Sequence, residues 1–258
     1  MKPVWTIYIP GLDSRTAMRE KLVAELRRQI AECDAEKRVE LLVESDAGIV
    51  APKRNRLLAA AQGEYVSNFD DDDWPAPYYV SACLAAMKDR PDVVTFMLRM
   101  VVKGQLREYW TFRLAHKNDW EPLGEYAGKA NWGFSANHLC PTKTEIARRS
   151  FFPPVGHGCD QVWYKILLLL DVRKTEFFVP TVLYTYRYSS ALTATQTAAA
   201  HATCRRVWGD AQVIWQRRDT GDVVYAPPGE YRRFKDRHGA EIEISLSDLV
   251  PLGQVRIG

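Results

Sequence analysis

The chain has 258 residues, of which 47% are apolar and 26% charged, with a formal net charge of +3. That composition is ordinary for a globular protein and excludes disordered, collagen-like and disulfide-stapled classes. A balance this close to neutral neither demands nor forbids an anionic partner. Cys33, Cys83, Cys140, Cys159 and Cys204 form no CxxC pair and are odd in number, so a reducing compartment is expected. The apolar run Val4–Pro10 is too short for a signal peptide, and Ile166–Leu170 is far too short to span a bilayer. A cytoplasmic, soluble protein is therefore expected.

Val4–Ile9 reads as a buried strand bounded by Pro10 and Gly11. Asp13 or Ser14 is placed to cap a helix in which Met18, Leu22, Leu26 and Ile30 repeat every fourth position, which builds one apolar face. Val39–Val43 is a second strand, followed by a turn at Ser45-Asp46-Ala47-Gly48. A short helix is expected over Arg54–Ala61, with Gly63 as its C-cap. Tyr65–Phe69 is a third strand that runs into four aspartates. Pro77–Lys88 reads as helix and Asp92–Met97 as a fourth strand.

Alternation of strands and helices in this order predicts an α/β fold with a mostly parallel sheet flanked by helices. Ligands of such sheets bind beyond the carboxyl ends of the strands. Asp46 and the run Asp70–Asp73 both fall at such ends.

Arg99–Phe134 interleaves aromatic and basic residues and reads as β-rich with loops. Thr142-Lys143-Thr144-Glu145 has the pattern of a capping box for a helix through Arg149. A further helix starts near Asp160, and strand structure follows within Phe177–Tyr188. After about Ser190 the composition changes to Ala and Thr, then to Arg, Trp and Gly. Residues 1–190 are thus expected to form the main domain, and 191–258 an extension with a helix near Ala198–Gln216 and a small β-hairpin. Arginine pairs recur at Arg148–Arg149, Arg205–Arg206, Arg217–Arg218 and Arg232–Arg233; solvated helix faces are the plain explanation.

Four adjacent carboxylates at a strand end repel one another unless a cation sits among them. Magnesium typically takes one or two carboxylates together with substrate phosphates, whereas an isolated acidic turn would only cap the next helix. A calcium loop of the EF-hand kind needs glycine at its sixth position and glutamate at its twelfth, where this chain has Pro75 and Ser81. Lys53-Arg54-Asn55 lies between the two acidic strand ends, and Arg54 at a helix start suits a diphosphate.

The run Ser45-Asp46-Ala47-Gly48, Lys53-Arg54-Asn55, Ala61-Gln62-Gly63-Glu64-Tyr65-Val66 and Phe69-Asp70-Asp71-Asp72-Asp73 resembles family 2 glycosyltransferases of the GT-A (Rossmann-like) fold. Thr6-Ile7-Tyr8-Ile9-Pro10 is similar to that family's first strand and its proline. The likeness covers the first hundred or so residues and thins toward residue 190.

The resemblance implies a metal-dependent, inverting transfer of a sugar from a nucleotide-sugar, by family default a UDP-sugar, with Mn2+ or Mg2+. Asp46 would hold the base or ribose. Arg54 would approach the base or diphosphate, with Lys53, Asn55 and Pro10 beside it. Asp70 and Asp72 would be the Asp-x-Asp pair, with Asp72 the direct metal ligand. Of Asp71 and Asp73, one would face the donor and the other support the loop. Asn137-His138 stands where a third metal ligand or a phosphate contact would fall, although a single histidine is more often structural; His116 and His157 rank lower. Arg187, with Tyr186, would close over the diphosphate. The family's acidic pair reads Cys159-Asp160 here, which makes Asp160 the candidate general base and leaves helix N-capping as its competing role.

Two acceptors are consistent with the sequence. A compact chain with arginines and lysines among tryptophans fits duplex DNA bearing a hydroxymethylated pyrimidine, as in a phage-type enzyme. A glycan or glycolipid is the alternative. A nucleotidyltransferase would also use nucleotide, metal and paired aspartates, but Pro10-Gly11-Leu12-Asp13 is no glycine-rich loop.

Overall fold

The computed structural model describes residues 2–117, 120–155, 158–188, 211–230 and 232–256. In the first part, β1 (Trp5–Leu12), α1 (Thr16–Glu32), β2 (Val39–Asp46), α2 (Val50–Ala60) and β3 (Tyr65–Asn68) alternate as expected. They are followed by β4 (Trp74–Pro75), α3 (Tyr79–Ala86), β5 (Val93–Val102), β6 (Gln105–Arg113), β7 (Glu121–Tyr126) and β8 (Lys129–Ser135). The domain then continues through β9 (Thr142–Lys143), α4 (Thr144–Ala147), α5 (Cys159–Leu170) and β10 (Glu176–Tyr188).

The described residues of this part form one ten-stranded mixed sheet, ordered β2-β1-β3-β9-β5-β6-β8-β7, with β10 on β5 and β4 on β10. The long ladders β1–β2, β1–β3, β5–β10 and β6–β8 are mostly parallel, as predicted. Antiparallel pairing is confined to β5–β6, β7–β8 and the short strands β4 and β9.

Alternation along β1 divides the core, because successive side chains of a strand point to opposite faces. Trp5, Ile7 and Ile9 pack with Leu22, Leu26 and Ile30 of α1 and with Tyr79 and Val80 of α3. Tyr8 joins the other cluster, with Leu57 and Leu58 of α2 and Val162 and Ile166 of α5. Burial on both faces explains why β1 reads as a continuous apolar run. Among the described residues no helix is long and apolar enough to cross a membrane.

Several boundaries differ from expectation for identifiable reasons. β1 runs on through Pro10 and Gly11, because its ladder with β2 continues to Leu12↔Asp46. Neither Asp13 nor Ser14 caps α1, whose N-cap is Arg15 without a side-chain bond. α2 begins at Val50, four residues early; Pro52 is tolerated in the first turn, where its missing N–H has no helical partner anyway. The capping box at Thr142 does not form, since Thr142 pairs instead with Val66 of β3 and Val93 of β5.

The C-terminal residues correct the expected helix. Gln212–Gln216 lies in a strand, β11 (Gln212–Arg217), Ala211 precedes it outside any helix, and residues 198–210 of that expected helix fall outside the described residues. With β12 (Val223–Ala226), β13 (Arg233–Lys235), β14 (Glu241–Glu243) and β15 (Leu249–Val255), it builds a five-stranded antiparallel sheet rather than a hairpin. Val213-Ile214-Trp215 and Val223-Val224-Tyr225 are β-branched or aromatic runs that favour strands. Ile214, Val223, Tyr225 and Val255 pack in the α5 cluster, while Val224, Phe234 and Leu249 form a small core on the other face.

The parallel order β2-β1-β3 sends Asp46, Leu12 and Asn68 to one edge of the sheet. The pairing Thr185↔Trp74 brings the end of β10 to the same edge.

Gly63 is not the helix cap, which falls at Ala61; a Cβ there would lie 2.5 Å from Thr6 N and 2.7 Å from Tyr65 O. Backbone atoms cannot yield as a flexible side chain can. Gly63→Ala is therefore expected to cost roughly 1–3 kcal/mol, read as a lower denaturation midpoint in urea; an unchanged midpoint would show that β1 can move aside.

Candidate functional site

The four aspartates after β3 have four different environments. Asp70 Oδ1 accepts from Arg54 Nη2 at 2.7 Å and from Asn68 Nδ2 at 2.7 Å. Burial alone would raise this carboxyl, but the Arg54 charge, together with the Arg54 hydrogen bond, overcomes it and holds it well below the usual range. Asp71 turns back to β1, accepting from Leu12 N at 2.8 Å and Arg15 Nη1 at 2.8 Å. Asp73 accepts from Tyr184 Oη at 2.6 Å and Arg187 N at 2.7 Å, which locks the loop to β10. Asp72 pairs with Arg15 at 3.1 Å, its one ion pair among the described residues. Burial, reinforced by Asp70 and Asp71 and only partly opposed by Arg15, pushes its carboxyl up to about 7. Burial and the charges of Asp72 and Asp70 raise Asp73 as well.

Arg54 is the hub of the site. It reaches Asn68 Oδ1 at 3.2 Å, Cys159 Sγ at 3.2 Å and His138 Nε2 at 3.3 Å, and lies 5.5 Å from the Phe152 ring centroid. It is 7% exposed, so it is enclosed beneath the aspartate loop instead of being displayed to a diphosphate. Cys159, at the position of the family's first acid, is a buried thiol facing Arg54; burial, moderated by Arg54, pushes it up to about 11.

Lys53 and Asn55 have architectural tasks. The fully buried Lys53 ammonium donates to Asp46 Oδ1 at 2.7 Å, Asp46 O at 3.1 Å and Gly48 O at 2.9 Å. Asn55 clamps Phe152 through two bonds, Nδ2 to Phe152 O at 2.7 Å and Phe152 N to Oδ1 at 2.9 Å. They support the β2–α2 turn and the segment before α5. Asp46, by contrast, is half exposed; the Lys53 bond first, then Gly48 N, holds its carboxyl below the usual range. Pro10 is buried in β1 opposite Glu44.

Asp160 is not the helix cap. Gly158, with φ 74°, occupies the N-cap of α5, and Asp160 stands in the first turn with its side chain 34% exposed. Its Oδ2 lies 3.9 Å from His138 Nδ1. His138 is brought to Asp70 at 3.7 Å but not into a shared cluster with Asp72. Arg187 is exposed and rests its guanidinium 4.9 Å from the Trp74 ring centroid. Tyr186 stands 5.6 Å from Trp110, and Trp110 contacts Trp120 at 5.5 Å and Phe134 at 4.6 Å. Glu108 accepts the indole N–H of both Trp110 and Trp132, at 2.7 and 3.1 Å, which fixes this aromatic wall beside the aspartates. His116 pairs with Glu121, and His157 is outside the described residues.

The sequence reading missed Arg15, Asn68 and Tyr184. A lone arginine at a helix start and a tyrosine inside a strand carry no motif. Only the fold shows Arg15 against Asp71 and Tyr184 against Asp73.

Among the described residues no three His, Cys, Asp or Glu side chains are gathered as they would be to hold a metal unaided. The donor set nevertheless fits a hard divalent cation shared with phosphate oxygens, since Asp72 is a buried carboxylate with a deficit of positive charge.

The mixed α/β sheet, with acidic strand ends along one edge, has the GT-A fold. The chain belongs to glycosyl transferase family 2, whose model matches residues 22–153. Among solved structures it is similar to S. aureus TarS 1–349 in complex with UDP-GlcNAc, at 15% identity and TM-score 0.54, over 80% of this chain and 65% of that one. It is also similar to TarS 1–349 in complex with UDP, at 16% identity and TM-score 0.50, over 73% of this chain and 61% of that one. The chain thus spans just under two thirds of the TarS chains it matches. No curated protein matches the sequence.

The raised Asp72 carboxyl makes stability depend on pH. Between 3.8 and about 7 the folded protein keeps a proton that the unfolded chain has lost, so metal-free stability falls as pH rises through that window. Thermal midpoints in chelator should therefore decline across it, and Asp72→Asn should flatten the decline. Equal slopes in the two proteins would refute the assignment to Asp72.

Proposed function

We propose that the chain transfers a sugar from a UDP-sugar to an acceptor hydroxyl with inversion, with Mn2+ or Mg2+ held at Asp72 and Asp160 as general base. The observation that carries this reading is the buried Asp72 carboxylate at the end of β3, whose own loop leaves it short of positive charge. When bound, the cation supplies neutralisation of the donor diphosphate as it departs. Asp46 presents Oδ2, beside Arg56 Nη2 at 3.6 Å, to the nucleoside, while Lys53 and Gly48 fix Oδ1. Arg187 supplies a second cation to the diphosphate; no carboxylate is within ion-pair distance of it among the described residues. Arg54 acts indirectly, by holding Asp70 ionised beneath the loop.

Asp160 takes the acceptor's hydroxyl proton. The acceptor oxygen bonds to the anomeric carbon as the bond from that carbon to the diphosphate oxygen breaks, leaving UDP. The UDP and UDP-GlcNAc in the TarS structures make UDP-GlcNAc the first donor to test.

The acceptor is read as a carbohydrate, in a glycan or glycolipid. Its binding surface is the aromatic wall at Trp110, Trp120 and Tyr186, with Trp120 54% exposed. Duplex DNA needs basic side chains free to follow phosphates. Of the basic residues, Arg113 pairs with Glu176, Arg148 is spent on the carbonyls of Leu58, Ala59 and Ala61, and Arg217 pairs with Asp219, so these three are less available to phosphates. Carbohydrate acceptance over hydroxymethylcytosine DNA is the expected result of an acceptor screen; transfer to the DNA alone would reverse this choice.

With UDP-GlcNAc and Mn2+, UDP release is expected to stop in chelator and to be lost in Asp72→Ala. Asp160→Asn is expected to lower kcat about 10²–10⁴-fold with little change in donor KM. Undiminished, metal-independent turnover in folded Asp72→Ala would sink the mechanism.

A further inference from the structure

We propose that His138 is a positioning residue for Asp160, holding the base carboxylate through its Nδ1–H instead of ligating a metal. The inference builds on Asp160 as the base and assigns the histidine a task in that same site.

The His138 ring is 5% exposed and sits edge-on to Phe152 at 6.3 Å, so its orientation is set by packing. Its segment is pinned to β3 by the bond from Asn68 N to His138 O, 2.9 Å. Nε2 lies 3.3 Å from Arg54 Nη2. A guanidinium only donates, and Arg54 remains charged, so this contact requires a lone pair on Nε2. The imidazole proton must then be on Nδ1. That atom is buried, has no hydrogen-bond partner among the described residues, and faces Asp160 Oδ2 at 3.9 Å.

The opposite tautomer would set an N–H against the guanidinium, and its nearest acceptor, Asp70 Oδ2, is 3.7 Å away. An imidazolium would bring two cations together. A divalent ion at Nε2 would meet the same guanidinium, which argues against the metal role expected of His138. The groups surrounding the ring are therefore Arg54, Asp70 and Asp160, with the Cys159 thiol on the far side of Arg54.

Asp160 is partly exposed and uncapped, so a small side-chain movement closes the gap to ordinary hydrogen-bond length, about 3 Å. One carboxylate oxygen would then be held by His138 and the other left for the acceptor hydroxyl. The chain Asp70–Arg54–His138–Asp160 thus connects the end of β3 to the start of α5.

Asparagine can place an N–H where Nδ1 stands; glutamine places its amide near Nε2. His138→Gln and His138→Ala are expected to lower kcat for UDP-GlcNAc turnover about 10- to 100-fold, with donor KM unchanged. Both should also raise the acid limb of the kcat–pH profile, because an N–H bond favours the ionised carboxylate. His138→Asn should restore most of the rate and the limb, and the Mn2+ dissociation constant should stay as in the wild type throughout. Full activity in the glutamine and alanine variants, or weakened Mn2+ binding with an unmoved limb, would overturn the proposal.

Nitrogen-15 NMR of the histidine-labelled wild type, without donor or metal, gives a reading independent of turnover. The Nδ1–H tautomer is expected, with its resonance displaced in Asp160→Asn. The Nε2–H tautomer would refute the His138 assignment whatever the activity. The expected spectrum in a protein that releases no UDP would leave the His138–Asp160 pair standing and remove the transferase reading.

Discussion

A buried charge must be paired or it destabilises the fold, and the Arg54–Asp70 ion pair meets that constraint at the centre of this molecule. Arg54 comes from α2 and Asp70 from the end of β3, and the contact is 2.7 Å long at 9% and 26% side-chain exposure. Cys159 of α5, Asn68 of β3 and His138 after β8 complete the guanidinium's surroundings. Elements far apart in the chain therefore meet at one side chain. The loss of Arg54 would remove a polar contact from each of them.

That pairing explains why four consecutive aspartates do not behave alike. Asp70 and Asp71 are neutralised by Arg54 and Arg15, and Asp73 is tied to Tyr184 and the backbone of Arg187. Asp72 shares Arg15 with Asp71 and receives the repulsion of its neighbours. The loop is built so that one carboxylate is left with a demand for positive charge at the mouth of the sheet. In the proposed mechanism a diphosphate-bound cation would meet that demand.

Much of the first hundred residues was legible in the sequence, since period-two and period-four apolar patterns reflect burial on both faces of β1 and on one face of α1. The strand ends at Asp46 and Asp70 were legible for the same reason. The capping pattern at Thr142–Glu145 misled, because cross-strand pairing with β3 and β5 outweighs a local cap. The stretch after Gly209 misled too, because short β-rich runs cannot be told from helix by composition until a neighbouring sheet accepts them.

The sequence by itself determined the alternation of elements, the edge of the sheet where chemistry gathers, and the acidic groups present there. Those features depend on local periodicity and on residue type. Only the tertiary structure decided that Lys53 and Asn55 brace loops, that Arg54 lies beneath the aspartates, that Gly158 and not Asp160 caps α5, and that His138 faces Asp160. These depend on side chains that lie as many as 105 positions apart, as Arg54 and Cys159 do, and no pattern within the chain records which of them share a buried space.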